Sequence, residues 1–186
     1  MTGTRTRLNG EDWVEAGFRA LISSGPKALK AEPLAREMGT TKGSFYWHFK
    51  DIPDFHSKML SSWENHAKNT ISEGLAAEKD PVRRLYLLGE IAMASDVTQD
   101  GNSAEPAIRA WAQENQGVAE AVGRIDQSRL AHLEQALSDL ELTNPEFARL
   151  IYGACIGLGS LPSNGNAENR DAMSTLMAAL LALRDA

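Results

Sequence analysis

The stretch Leu34–Phe49, LAREMGTTKGSFYWHF, constrains the fold of this chain more than any other. Leu34, Ala35 and Met38 fall at i, i+1 and i+4, on one face of a short helix. Gly39 follows, the residue that most cheaply adopts the left-handed conformation closing a helix. Thr40 or Thr41 can cap a second helix, on which Phe45 and Phe49 make an inward apolar pair. Lys42, Ser44, Tyr46, Trp47 and His48 remain on the outer side. That set of cation, hydroxyl, aromatic and imidazole groups suits phosphates and base edges. Two short helices joined by a glycine-containing turn, the second with such a face, predict a helix-turn-helix. Spacing alone is equally compatible with a plain helical hairpin whose second helix is solvated.

The string Gly43-Ser44-Phe45-Tyr46-Trp47-His48-Phe49, preceded by Leu34-Ala35 and Gly39, resembles the DNA-binding signature of the TetR family of bacterial transcriptional regulators. The likeness covers about the first sixty residues; beyond them it rests on length, helix pattern and a looser echo at Arg109-Ala110-Trp111-Ala112. It implies an all-α protein with a three-helix DNA-reading head, residues 1–52, and a larger helical body, residues 53–186. Such a body dimerises and holds a small-molecule effector. The DNA-binding set expected from the motif is Thr41, Lys42, Gly43, Ser44, Tyr46, Trp47, His48 and Lys50. Family members commonly carry Lys or Arg three residues after the last motif aromatic, against a phosphate. Here that position is Ile52, followed by Pro53. The departure keeps open a second reading, a helical ligand-binding protein or enzyme that has lost DNA binding. One phosphate contact fewer lowers the salt dependence by about one unit without abolishing binding, and Lys50 can compensate. Glu32 adds a mildly repulsive charge.

Charge agrees with the first reading once it is divided. The net charge of −6 argues against a nucleic-acid binder as a whole. Residues 1–50 nevertheless carry eight Lys or Arg against five acids, leaving 11 against 20 in the rest, so +3 stands beside −9. A basic head on an acidic body orients a molecule on DNA, although +3 over fifty residues weighs little without the motif.

Helical signals recur along the chain and strand signals do not. Asn9 with Asp12 forms a capping-box pattern opening a helix that Ser24-Gly25-Pro26 stops. Pro33 is tolerable in the first turn of the second helix. Asp51-Ile52-Pro53-Asp54 opens a long helix to about Ala77, and Asp80-Pro81 another with Val82, Leu85, Leu88 and Ala92 on one side. A loop at 100–103 precedes a helix from Glu105-Pro106 to about Glu114. Gly117–Leu140 reads as a helix with Val118, Val122, Ile125, Leu133 and Leu137 inward, and Asn144-Pro145 begins the eighth. Leu161–Asn169 reads as a polar loop before a last helix, Met173–Leu183. About nine helices result.

No apolar run approaches the 18 residues of a membrane span, and MTGTRTRLNG lacks the apolar core of a signal peptide. Cys155 stands alone, consistent with a reducing, cytoplasmic setting and excluding an intrachain disulfide. Gly153-Ala154-Cys155-Ile156-Gly157 fits a nucleophile elbow in spacing, but the flanks read as continuous helix where a strand is needed. His48, His56, His66 and His132 show no metal-ligand spacing. No catalytic residues, metal or cofactor are expected.

Two further sets concern partners. Trp63, His66, Tyr86, Met93, Trp111, His132 and Tyr152 bring apolar surface, some with polar tips, to the body helices, and could line a pocket for an apolar effector. They equally suit a helical core. On the last two helices, Ile151, Ala154, Leu158, Met173, Leu176, Met177 and Leu180 form apolar stripes flanked by Gly153, Gly157 and Gly159. A terminal helix this apolar wants cover on two sides, which an isologous four-helix homodimer interface would supply. A homodimer of heads would read a pseudo-palindromic double-stranded operator.

Overall fold

The computed structural model of the chain describes residues 8–94, 103–161 and 167–183. Nine α-helices form among the described residues: α1 (Gly10–Ser24), α2 (Ala31–Glu37), α3 (Lys42–Tyr46), α4 (Ile52–Ala76), α5 (Pro81–Ala94), α6 (Glu105–Ala112), α7 (Gln116–Ser138), α8 (Glu146–Ser160) and α9 (Ala167–Ala182). A single 3-10 turn, Pro26–Ala28, joins α1 to α2. Of the loop expected at 100–103, residues 100–102 lie outside the described residues, as do 162–166 of the one expected at 161–169. The described residues fall into two compact units, 8–65 with 103–121, and 66–94 with 122–161 and 167–183.

In the first unit the helix ends follow local chemistry. Asn9 Oδ1 accepts from the amides of Glu11 and Asp12 at 2.7 and 3.0 Å, and Asp12 Oδ2 accepts from the Asn9 amide at 2.7 Å. This reciprocal box satisfies donors that the first turn of α1 would otherwise leave unpaired. Pro33 sits in the first turn of α2, and Gly39, at φ +61°, turns the chain out of it. Trp13, Ala16, Ala20 and Leu21 of α1, Leu34 and Ala35 of α2, and Phe45, Phe49, Phe55 and Met59 are all buried. α1 approaches α4 at Gly17, where a Cβ would lie 2.7 Å from both Met59 Sδ and Phe55 Cζ.

The second unit is built on α5, which packs against both α8 and α9. Its core joins Ile71 and Leu75 of α4, Leu85 and Leu88 of α5, Leu133 and Leu137 of α7, Ile151 and Cys155 of α8, and Met173, Met177 and Leu180 of α9. Gly89 lets α5 and α9 meet, since a Cβ there would run into the Met177 side chain. α9 begins at Ala167, six residues before the expected start. Asn169 Nδ2 donates to the Leu158 carbonyl at 2.7 Å, tying the first turn of α9 to the end of α8. Four of the seven residues read as interface, Ile151, Met173, Met177 and Leu180, are buried in this unit's own core.

Candidate nucleic-acid interface

α3 is five residues long, too short to hold itself, and is positioned from behind. Thr41 is its N-cap, Oγ1 accepting from the Ser44 amide at 3.3 Å. Phe45, fully buried, meets Trp13, Phe49 and Phe55 at centroid distances of 5.3, 4.9 and 5.2 Å. Burial of such a ring stabilises by roughly 1.5–3 kcal/mol and each aromatic pair adds about 0.5–1.5. The pairing expected of Phe45 and Phe49 is thus present, although the helix stops at Tyr46 and Phe49 is reached through a turn.

The opposite side faces solvent. Thr41, Lys42, Gly43 and Lys50 are exposed, Ser44 and His48 half-buried, Tyr46 is 46% exposed and Trp47 84%. Tyr46 packs edge-on against Phe45 at 5.2 Å, which fixes its ring while the hydroxyl end stays outside. The eight residues expected to meet DNA therefore lie at the N-cap of α3, along it or just after it.

Sequence reasoning missed the strap that holds this segment to α4. Lys58 Nζ donates to the His48 carbonyl at 3.1 Å, lies 3.4 Å from Asp54 Oδ2 and sits 5.1 Å over the Phe49 ring. Asp54 Oδ2 in turn accepts from the Lys50 amide at 2.9 Å. That amide, then the Lys58 charge, hold the Asp54 carboxyl below the usual carboxylate range against a desolvation that pushes the other way. The i,i+4 spacing of Asp54 and Lys58 was visible in the sequence; the reach back to His48 was not. Beside it, His56 Nε2 lies 3.4 Å from the Leu29 carbonyl and its ring meets Trp111 edge-on at 4.8 Å. Burial lowers the His56 pKa, with the Leu29 contact opposing.

The residues read as a pocket are divided between the two units. Trp63 and Trp111 are buried in the first unit. In the second, His66 is exposed, Tyr86, Met93 and His132 are half-buried, and Tyr152 is buried. Tyr152 joins a polar network within an apolar core: its hydroxyl donates to Asp126 Oδ1 at 2.7 Å and accepts from Arg129 Nη1 at 3.4 Å. A cavity of about 10 Å³ beside Arg129 is walled by Ile71, Leu88, Ile91, Ala92 and Leu133, and has room for about one water. Cys155 lies mid-helix in α8 rather than on an elbow, and burial pushes its thiol up to about 11. Among the described residues no group of three His, Cys, Asp or Glu is placed to hold a metal, and no helix is long and apolar enough to cross a membrane.

The comparisons with known proteins address the head and the whole fold separately. Residues 14–54 match the family described as bacterial regulatory proteins, tetR family. A solved structure assigned to TetR-family transcriptional regulators, from Rhodococcus sp., superposes with a TM-score of 0.75 over 92% of this chain and 98% of its own, at 17% identity. A transcriptional regulator from Saccharomonospora viridis, in complex with choline, gives 0.66 over 91% and 95% at 18% identity. The ketosteroid transcriptional regulator of Mycobacterium tuberculosis gives 0.63 over 98% and 95% at 14% identity. No curated protein matches in sequence. At these identities the structures speak for the fold, while the family match falls on the helices that carry the exposed α3 face. Residues 14–54 thus match the tetR-family model, and over its length the chain shares the fold of solved structures assigned to transcriptional regulators.

Proposed function

We propose that the chain is a dimeric repressor which reads a pseudo-palindromic operator through α3 and is released by a small-molecule effector. The observation carrying the DNA contact is the division of α3 into a buried Phe45 side and a solvent side bearing Lys42, Ser44, Tyr46, Trp47 and His48. Lys42 reads a base edge; Tyr46, His48 and Lys50 hold phosphates, with Thr41, Gly43 and Ser44 bringing the backbone of the α3 N-terminus close.

The dimer reading is supported by what α8 and α9 leave uncovered. On α8, Leu150 and Leu161 are more than half exposed, Gly153 and Gly157 are exposed, and Ala154 and Leu158 are partly so. These six fall at spacings of three, one, three, one and three, a single stripe. On α9, Ala172, Leu176, Ala179 and Leu183 make the corresponding line. Ala154, Leu158 and Leu176 are kept from the expected interface, and the four core residues give way to this outer stripe. Two-fold pairing would set the heads roughly 34–36 Å apart, or a multiple of that.

The effector reading draws on structural relatives solved with choline or named for ketosteroids. Tyr152, with Tyr86, Met93 and His132 in the same unit, offers apolar surface with few polar tips, fitting an apolar ligand with one or two hydrogen bonds. Such a ligand releases DNA only if it prefers the non-binding state.

Selection from a pool of genomic fragments at about 50 mM salt tests the reading, because phosphate contacts are strongest there. The expected product is a two-fold-related site, weakened roughly 1–3 kcal/mol by Lys42→Ala with relaxed preference at one position. Leu158→Glu should sediment as a monomer and lose that site. Recovery of no preferred sequence would overturn the proposal.

A further inference from the structure

Arg129 of α7 is charged and yet only 6% exposed. It walls the cavity of about 10 Å³ in the second unit, together with Leu133 one turn on, Ile71 of α4, and Leu88, Ile91 and Ala92 of α5. That volume admits one water or one ion of similar size. The chemistry of the walls decides between them. A buried water wants two to four polar partners, and its own protons need acceptors. Five of the walls are aliphatic, and a guanidinium donates hydrogen bonds but accepts none, so no side chain of the lining can take those protons. An anion has no protons to place and asks only for donors and positive charge. Arg129 supplies both. Its charge is also felt elsewhere in the core: burial raises the Cys155 thiol, and the Arg129 charge opposes that rise. Asp126 accepts from the Tyr152 hydroxyl at 2.7 Å, and that hydroxyl accepts from Arg129 Nη1 at 3.4 Å. The Asp126 carboxylate is half-buried and is not part of the cavity wall.

We propose that this cavity is a site for a small monovalent anion of the size of chloride, held by the Arg129 guanidinium against aliphatic walls. The inference stands apart from the operator and effector readings. Because the walls come from α4, α5 and α7, a bound ion ties three helices of the second unit together and stabilises the folded chain by mass action. Asp126, of like charge to the ion, lowers the affinity, so occupancy follows bulk salt rather than traces of it.

The test is thermal unfolding of the full chain, followed by circular dichroism, as sodium chloride replaces sodium gluconate at a constant ionic strength of about 0.2 M. Screening is then the same throughout, and gluconate is too large for the cavity. The melting temperature should rise saturably with chloride, by about 2–4 °C once chloride stands at roughly four times its dissociation constant. Arg129→Met keeps the bulk and removes the charge, and should abolish the difference between the salts. Ala92→Val fills the cavity with Arg129 in place; it should abolish the difference too, and it decides the matter if Arg129→Met does not fold. Lys79→Ala, exposed in the same unit, should keep the full difference. In crystals soaked in sodium bromide, the anomalous signal should peak in the cavity beside Arg129. Identical melting in the two salts, or a chloride gain undiminished in the variants that fold, would overturn the site.

Discussion

Gly17 sits in the middle of α1, where helix propensity alone favours replacement by alanine by about 1 kcal/mol. The structure reverses that expectation. A Cβ at Gly17 would stand 2.7 Å from Met59 Sδ and Phe55 Cζ and 3.0 Å from Met59 Cε, well inside van der Waals contact. Met59 can swing aside, but Phe55 is fully buried and locked by Phe45 and Phe49 at 5.2 and 4.9 Å. Overpacking of this kind costs roughly 1–3 kcal/mol, so Gly17→Ala should emerge neutral to about 2 kcal/mol destabilised once the propensity gain is counted. Gly123 in α7 is the control, because nothing lies within 4 Å of the position its Cβ would take. Gly123→Ala should gain the full propensity term. Urea unfolding followed by circular dichroism reads both, and the gap between the two variants isolates the overpacking. Because Phe55 backs α3, Gly17→Ala should also lose operator affinity. Equal stabilities for the two variants, within about 0.5 kcal/mol, would refute the close approach of α1 and α4.

Two further outcomes follow from titratable groups. The folded pKa of His56 is depressed, so its contribution is whole above the ordinary histidine range, near pH 6.5, and is lost as pH falls through the folded value. Stability measured from about pH 7.5 to 5 should therefore decline less in His56→Gln than in wild type, and equal slopes would remove the assignment. Cys155, with its thiol pushed up to about 11, should stay unreacted with a thiol-specific reagent near pH 8 and react when the chain is unfolded in urea. Rapid modification of the native protein would contradict its burial.

Much of the head was legible because its determinants are local. The Asn9–Asp12 box, the left-handed Gly39, the Thr41 cap and the i,i+4 phenylalanines each act within one turn of chain, and each is found where the spacing put it. The start of α9 was not legible, because its first turn is anchored by a tertiary bond from Asn169 to Leu158 that composition conceals. Periodicity also could not say which stripe of α8 and α9 serves the unit's own core, since both stripes are apolar and spacing names no partner.

Gly153, Gly157 and Gly159 occupy open space on α8. A helix bearing three uncovered glycines forgoes roughly 3 kcal/mol relative to alanine, a deficit that an isolated protomer carries by itself. If close packing against a second copy offsets it, then the durability of the folded protein depends on how much of it is present. The melting temperature should climb with protein concentration. In a cell, molecules made in excess would persist as pairs while scarce ones would unfold and be degraded sooner, so abundance itself sharpens the switch between an occupied and an empty operator.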